Sequence, residues 1–276
     1  KMKVYAFFQT LRYVIILLII SILLYKEVAA SMLLLSFVAS EVFLFIISIR
    51  FLYKQFIGVS FSFKQLMPHI KKHYRFGLKG FSSGTLIELN TRVDVLMLGY
   101  FLGDAYVGIY SFAAMIAEGL KEIPNVVRRN IDPIIGNLVA VGSKVKITAL
   151  SKKIRLFLVP VMMSLALIGV LLYKPFINVF QFDLALLSGA NILLILVVGV
   201  VLNSIYSPMM GILLQSNRPG YHSLLILCTF LTNIILNYFL IQNYGLLGAA
   251  IATAVVFSLE GIILKILVFY QLKIRI

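Results

Sequence analysis

An all-α, polytopic transmembrane helical bundle of about eight helices is the fold class predicted by three features of the sequence. Apolar residues make up 61% of the 276 residues and charged residues only 13%, with a mean hydropathy of +1.02; water-soluble domains of this size do not have that composition. Apolar runs of about 18 residues or more recur along the chain, each long enough to cross ~30 Å of hydrocarbon as a helix. Basic residues gather at alternate ends of these runs. Backbone groups in lipid must be satisfied internally, and runs of this length are too long for barrel strands, so helices are the expected solution.

The first span, Val4 to Tyr25, follows Lys1 and Lys3, and a connection holding Lys26 and Glu27 leads to the second, Val28 to Phe51. The next connection carries Lys54, Lys64, Lys71, Lys72 and Arg75. Within it Ser62 and Gln65 can form a capping box, and Phe63, Leu66, Met67 and Ile70 can form an apolar face, which fits either a linker or a short helix on the membrane surface. The third span, Phe76 to Leu102, and the fourth, Ala105 to Val127, are separated only by a turn at Asp104. Arg128, Arg129, Lys144, Lys146, Lys152, Lys153 and Arg155 then precede or open the fifth span, Ile154 to Tyr173. Lys174 and Asp183 lie in the next connection, before the sixth span, Ala190 to Leu214. Arg218 introduces the seventh, Tyr221 to Ile241; the turn Gln242 to Gly245 introduces the eighth, Leu246 to Tyr270; Lys273 and Arg275 follow.

This alternation accounts for the formal net charge of +15. It predicts that both ends of the chain are cytoplasmic, with the connections at Lys64 and Lys146 inside and those at Lys26, Asp104 and Asp183 outside. The basic excess is topological, and nucleic acid is excluded as a partner. Cys228 is the single cysteine, so no internal disulfide forms. His69 and His73 in "HIKKH" have an i,i+4 spacing but lack a catalytic glutamate and are crowded by Lys71, Lys72 and Arg75, which would repel a metal cation. With no Ser/His/Asp cluster and no glycine-rich phosphate loop, the sequence points away from an enzyme and implies no cofactor or metal.

Two spans carry charges that apolar segments should not. Glu88, Asn90, Arg92 and Asp94 alternate near the centre of the third span; the three charged ones would together cost roughly 8 to 10 kcal/mol in lipid. This helix must therefore pack inside the protein or line a wet cavity. On a continuous helix Glu88 and Arg92 form one i,i+4 pair and Asn90 and Asp94 another on nearly the opposite side; a packing ion pair of Glu88 with Arg92 is the competing explanation. In the fourth span Ser111, Glu118, Lys121, Glu122 and Asn125 share a stripe, with Pro124 available to bend the helix. A water-filled path explains that stripe, and so does a solvated end beyond the membrane. Thr229, Asn233 and Asn237 share a face of the seventh span, where they can bond sugar hydroxyls or bridge helices. Pro160, Pro208, Gly199 and Gly211 are candidate bends.

"NTRVDVLMLGYFLGDAYVGIYSFAAMIAEGL" and "NIILNYFLIQNYGLLGAAIATAV" resemble the polysaccharide transporter family, the O-antigen and lipid-linked oligosaccharide flippases of the multidrug, oligosaccharidyl-lipid and polysaccharide exporter superfamily. The elements that carry the resemblance are the Arg92 and Asp94 pair, "VGIYSFA" and "YGLLGAAIAT". It implies a two-lobed fold with a central cavity, of which this chain is a partial copy: residues 1–53 as the last two helices of the N-terminal bundle, 54–75 as a cytoplasmic linker and 76–276 as the C-terminal six-helix bundle. The start at Lys1 rather than Met fits the later part of a longer protein. Glu41 and Glu260, each about a dozen residues after a small-residue cluster, hint at an internal duplication.

The implied function is a flippase of the inner membrane that moves a polyprenyl-pyrophosphate-linked oligosaccharide, a repeat unit of O-antigen lipopolysaccharide, capsule or exopolysaccharide, to the outer leaflet by alternating access. Arg92, Lys121 and Lys79, with Asn233 and Asn237, are the expected substrate-binding residues, since an anionic headgroup bearing sugars needs fixed cations and hydrogen-bonding groups. Arg128 and Arg129 would collect it at the cytoplasmic mouth. Asp94, Glu118 and Glu88 are the expected ion-coupling residues, Asp94 and Glu118 lacking an unambiguous partner in the sequence. The partners implied are the lipid-linked oligosaccharide, membrane lipids, H+ or Na+, a polysaccharide polymerase and glycosyltransferases. The alternatives are a multidrug cation antiporter of the same superfamily, which needs a cavity rich in carboxylates and aromatics, and a membrane-embedded glycosyl- or acyltransferase.

Overall fold

The computed structural model describes residues 2–26, 28, 30–56, 67, 70–71, 73–74, 77 and 84–276. Its contacts divide the chain into two compact units, Lys1–His69 and Ile70–Ile276. Among the described residues every regular element is helical. The candidate surface helix around Ser62 to Ile70 lies almost wholly outside the described residues, as does Lys79.

In the first unit α1 (Met2–Tyr25) and α2 (Leu34–Phe56) are joined through a 3-10 turn, Ala30–Leu33, and pack on each other. Their outer surfaces are apolar and exposed, as at Leu17, Leu18, Phe45 and Ile46, which suits lipid. Arg12 crosses from α1 to Glu41 on α2, its Nε 2.8 Å from Oε1. A charge pair at this depth gives each ion the partner that lipid cannot supply.

In the second unit helical residues 84–90 lead through a turn at Thr91 and Arg92 into α3 (Val93–Leu102). Gly103 (φ 91°) reverses the chain into α4 (Asp104–Ala140), a backbone conformation that a side chain would strain. Then come α5 (Lys144–Val179), a 3-10 turn (Leu184–Ser188), α6 (Gly189–Ser204), a second 3-10 turn (Ser207–Met209), the one-turn α7 (Ile212–Gln215) and α8 (Pro219–Leu272). Helix α8 is two helices meeting at a kink at Gly245, φ 58°. With α6 packed against α4, α5 and α8, it forms the spine of the unit. At Gly199 it approaches α8 so closely that a Cβ would lie 2.6 Å from Ala254 Cα.

Helix length and membrane thickness part company in three places. Helices α4 and α5 contain 37 and 36 residues, about 55 Å each at 1.5 Å per residue and well beyond the ~30 Å of hydrocarbon. They continue past the expected ends at Val127 and Ile154 as a hairpin closed at Val141–Ser143, so the charges there end the membrane span and not the helix. The expected sixth span, Ala190 to Leu214, is a continuous α-helix only to Ser204; beyond it the chain breaks into the short 3-10 turn and the one-turn α7, with Ser207, Pro208, Met209, Met210, Ile212 and Leu213 buried. Irregular backbone at such a place is sustainable only where protein covers it, and α4 provides that cover. The third span is interrupted at Thr91 and Arg92.

Among the described residues α2, α5, Leu184–Ser204 and α8 are long and apolar enough to cross a membrane. Helix α4 departs from that pattern because of its charged stripe, which faces a cavity. The all-helical, polytopic architecture read from the sequence is the architecture found.

Candidate functional site

A cavity of about 460 Å³ lies within the second unit, walled by residues 84–94, α4, α6, the following 3-10 turn and α8. Five of the ten carboxylates in the chain line it, Glu88, Asp94, Glu118, Glu122 and Glu260, with four cations, Arg92, Lys121, Arg128 and Arg129. Half of the acidic residues thus converge on one space.

One end is sealed. Asp94 stands in the first turn of α3, where the free N–H groups favour a negative charge, and Val95 N donates to its Oδ1 at 2.9 Å. The other oxygen, Oδ2, accepts from Tyr110 of α4 and from Thr253 of α8, the latter at 3.1 Å. Tyr110 OH and Thr253 Oγ1 are themselves 3.3 Å apart. All three side chains are buried. Asp94 therefore has well-defined partners, contrary to the expectation from the sequence, and these partners tie three helices together.

In the middle, Lys121 Nζ lies 3.7 Å from the centre of the Phe257 ring, a close cation–π contact. Glu260 and Glu118 act on it electrostatically. Asn203 of α6 donates through Nδ2 to Glu260 Oε2 at 2.8 Å and to the Phe257 carbonyl at 3.0 Å. One amide thus holds the Glu260 carboxylate and the Phe257 backbone beside the lysine.

The other end is open. Glu122 meets Arg129 at 3.6 Å with both side chains 58% exposed, and Asn125 donates to Glu122 at 2.9 Å. Glu88 and Arg92 also line the cavity and are exposed. No ion pair joins them; the ion pairs among the described residues are Arg12 with Glu41 and Arg129 with Glu122. The turn at Thr91 and Arg92 breaks the i,i+4 register that would have paired them. It also brings Asn90 and Asp94 onto the same wall as Glu88 and Arg92, where a continuous helix would have divided them between two faces.

Asn233 lines the cavity and braces this break, its Nδ2 donating to Asn90 Oδ1 at 2.9 Å and to Asn90 O at 3.1 Å. Asn237 is not on the wall: fully buried, it donates to Asn233 Oδ1 at 2.7 Å and to Asn233 O at 2.9 Å. It supports the residue that reaches the cavity. The structure brings together Arg92, Lys121, Asn233, Asp94, Glu118 and Glu88. Sequence reasoning missed Tyr110, Thr253, Asn203, Phe257, Glu260 and His222, all on the wall. Only Glu260, a charge inside the last apolar run, carried a signal that could have found it.

An all-helical bundle with apolar outer faces and a charged interior cavity defines a multi-pass membrane protein of the transporter type. Residues 85–239 match the family model described as MatE, more than half of the chain, and the protein belongs to that family. Residues 1–127 match a second model, described as Polysaccharide biosynthesis protein. The chain is similar to the "Probable low-salt glycan biosynthesis flippase Agl15" of Haloferax volcanii, 26% identical over 173 residues, covering 62% of this chain and 36% of that protein. It also resembles a solved MOP superfamily transporter from Pyrococcus furiosus, with TM-score 0.43 and 19% identity over 74% of this chain and 46% of that one. The chain thus matches less than half the length of either relative. These matches are to transport proteins and not to enzymes.

Proposed function

We propose that this chain forms part of a flippase that carries a polyprenyl-pyrophosphate-linked oligosaccharide across the inner membrane. The observation that carries the reading is Arg92: a guanidinium on the wall of a cavity among membrane helices, with no carboxylate bound to it among the described residues. With Lys121 deeper in, it offers a phosphate-bearing headgroup two cations, while the amide oxygens of Asn233 and Asn203 can accept from sugar hydroxyls, their Nδ2 groups being engaged within the protein. The similarity to a glycan biosynthesis flippase supports the same substrate class.

In this reading residues 1–53 close one helical lobe, 54–75 link the lobes, and 76–276 form the second. The open end, marked by Arg128 and Arg129, faces the cytoplasm with both chain ends, as the basic connections suggest. Headgroups enter there, and the Asp94, Tyr110 and Thr253 contacts close the far side until the lobes rock to the alternate state. Asp94, Glu118 and Glu88 are the groups through which an H+ or Na+ gradient acts. A polymerase and glycosyltransferases handle the glycan on either side.

A second reading, export of organic cations, is favoured by the five carboxylates and by the Phe257 face. Reconstitution in vesicles separates the two. Labelled polyprenyl-pyrophosphate oligosaccharide should become accessible in the opposite leaflet, faster with an imposed gradient, whereas cationic dyes should not be moved. Dye transport without lipid scrambling would reverse the assignment.

A further inference from the structure

Outside the cavity, two cations share one aromatic ring. Tyr206 follows α6 in the irregular stretch before the second 3-10 turn, and its ring lies on Gly261 of α8, where a Cβ would come within 2.9 Å of Tyr206 Cδ2. The Arg155 guanidinium of α5 is 5.9 Å from the ring centre and Lys265 Nζ of α8 is 5.7 Å from it. None of the three residues lines the cavity. Neither cation belongs to an ion pair among the described residues, and the nearby carboxylate in sequence, Glu260, is engaged by Asn203.

The surroundings decide what would neutralise them. Arg155 opens the apolar run that starts at Ile154, and Lys265 lies shortly before the run ending at Tyr270, so both sit at the membrane boundary on the side of the basic connections. On the same two helices Leu156, Phe157, Ile262 and Ile266 are large, apolar and exposed. A soluble anion gains nothing from that flanking surface, whereas a lipid satisfies both halves of it: phosphate beside the cations, chains along the apolar side chains. The guanidinium fork matches phosphate oxygens, and an amphipathic ring at this level is at home among headgroups. We propose that Arg155, Tyr206 and Lys265 bind the phosphate of an anionic membrane lipid, at a site separate from the transport cavity.

The test uses the purified protein in detergent, with native mass spectrometry after adding phosphatidylglycerol, phosphatidylcholine or inorganic phosphate. Phosphatidylglycerol should be retained, with retention weakened roughly fivefold by Arg155→Ala or by Lys265→Ala and roughly 25-fold by both. Tyr206→Phe should retain it. Melting of the lipid-free double variant, or of Arg155→Gln with Lys265→Gln, which keep polar side chains at both positions, should match the wild type. Equal retention by wild type and a folded double variant would overturn the site. Displacement of the lipid by inorganic phosphate, or equal retention of phosphatidylcholine, would overturn the assignment to an anionic lipid.

Discussion

The two ends of the cavity use the same residue types in opposite ways. At the sealed end Asp94 is held by Val95, Tyr110 and Thr253. At the open end Arg92 and Glu88 line the same space unpaired with each other, and Glu122 and Arg129 meet only across 3.6 Å at the surface. Fixed contacts between α3, α4 and α8 suit a gate; exposed and loosely held charges suit a receptor for a charged headgroup. Charge in a membrane protein is therefore informative only together with what saturates it.

The largest effect on stability should come from breaking the sealed end. Asp94→Ala leaves the buried Tyr110 and Thr253 hydroxyls with only each other, 3.3 Å apart, as side-chain partners, so one donor is stranded at a cost of about 1–3 kcal/mol. Thermal unfolding in detergent should show it, and Asp94→Asn, which still accepts, should recover much of the loss. A wild-type midpoint for Asp94→Ala would mean that the cluster does not join the helices. Tyr110→Phe should follow, at about 1 kcal/mol, with Thr253 left as the remaining side-chain donor to Asp94.

A contrast with a third carboxylate sharpens the comparison. Asp132, on the α4 extension, is half-buried against Gly211, and its Oδ1 has no hydrogen-bond partner among the described residues. Burial raises its carboxyl above the ordinary value of 3.8, and Arg128 offsets this only in part. A raised acid binds its proton more tightly folded than unfolded, so its stabilising contribution is lost as pH rises from 3.8 through the folded value. Asp132→Asn should remove that fall, seen as a flatter melting profile over weakly acidic pH; an unchanged profile would remove Asp132 as its source. The smallest change is expected at the open end, where Arg129→Ala should alter stability by under about 1 kcal/mol, yet slow lipid capture at low salt more than at high salt.

What the sequence shows and what it hides follows from the range of each interaction. Hydropathy is local, so the spans were legible, and charges that lipid would reject marked Arg92, Asp94, Glu118 and Lys121 as cavity residues. Tyr110 and Thr253 were not legible, because a tyrosine or threonine is unremarked in any helix and these reach Asp94 across 16 and 159 residues. The break at Thr91 and Arg92 contains neither proline nor glycine, so the pattern continued through it. Asn233 and Asn237, one turn apart, read alike; only tertiary packing distinguishes the one on the wall from the one behind it. Hydropathy likewise cannot tell the end of a membrane span from the end of a helix, which is why α4 and α5 outrun their predicted limits.

The central claim, that Arg92 receives an anionic headgroup, is tested most directly by measuring the affinity of the purified protein for a polyprenyl pyrophosphate against its Arg92→Ala variant. Because Arg92 is exposed and bound to no carboxylate among the described residues, the variant should melt as the wild type does while binding at least about tenfold more weakly, the loss expected for a charge-assisted contact. Arg92→Lys should fall between them. A folded Arg92→Ala protein that binds the lipid with wild-type affinity would contradict the account.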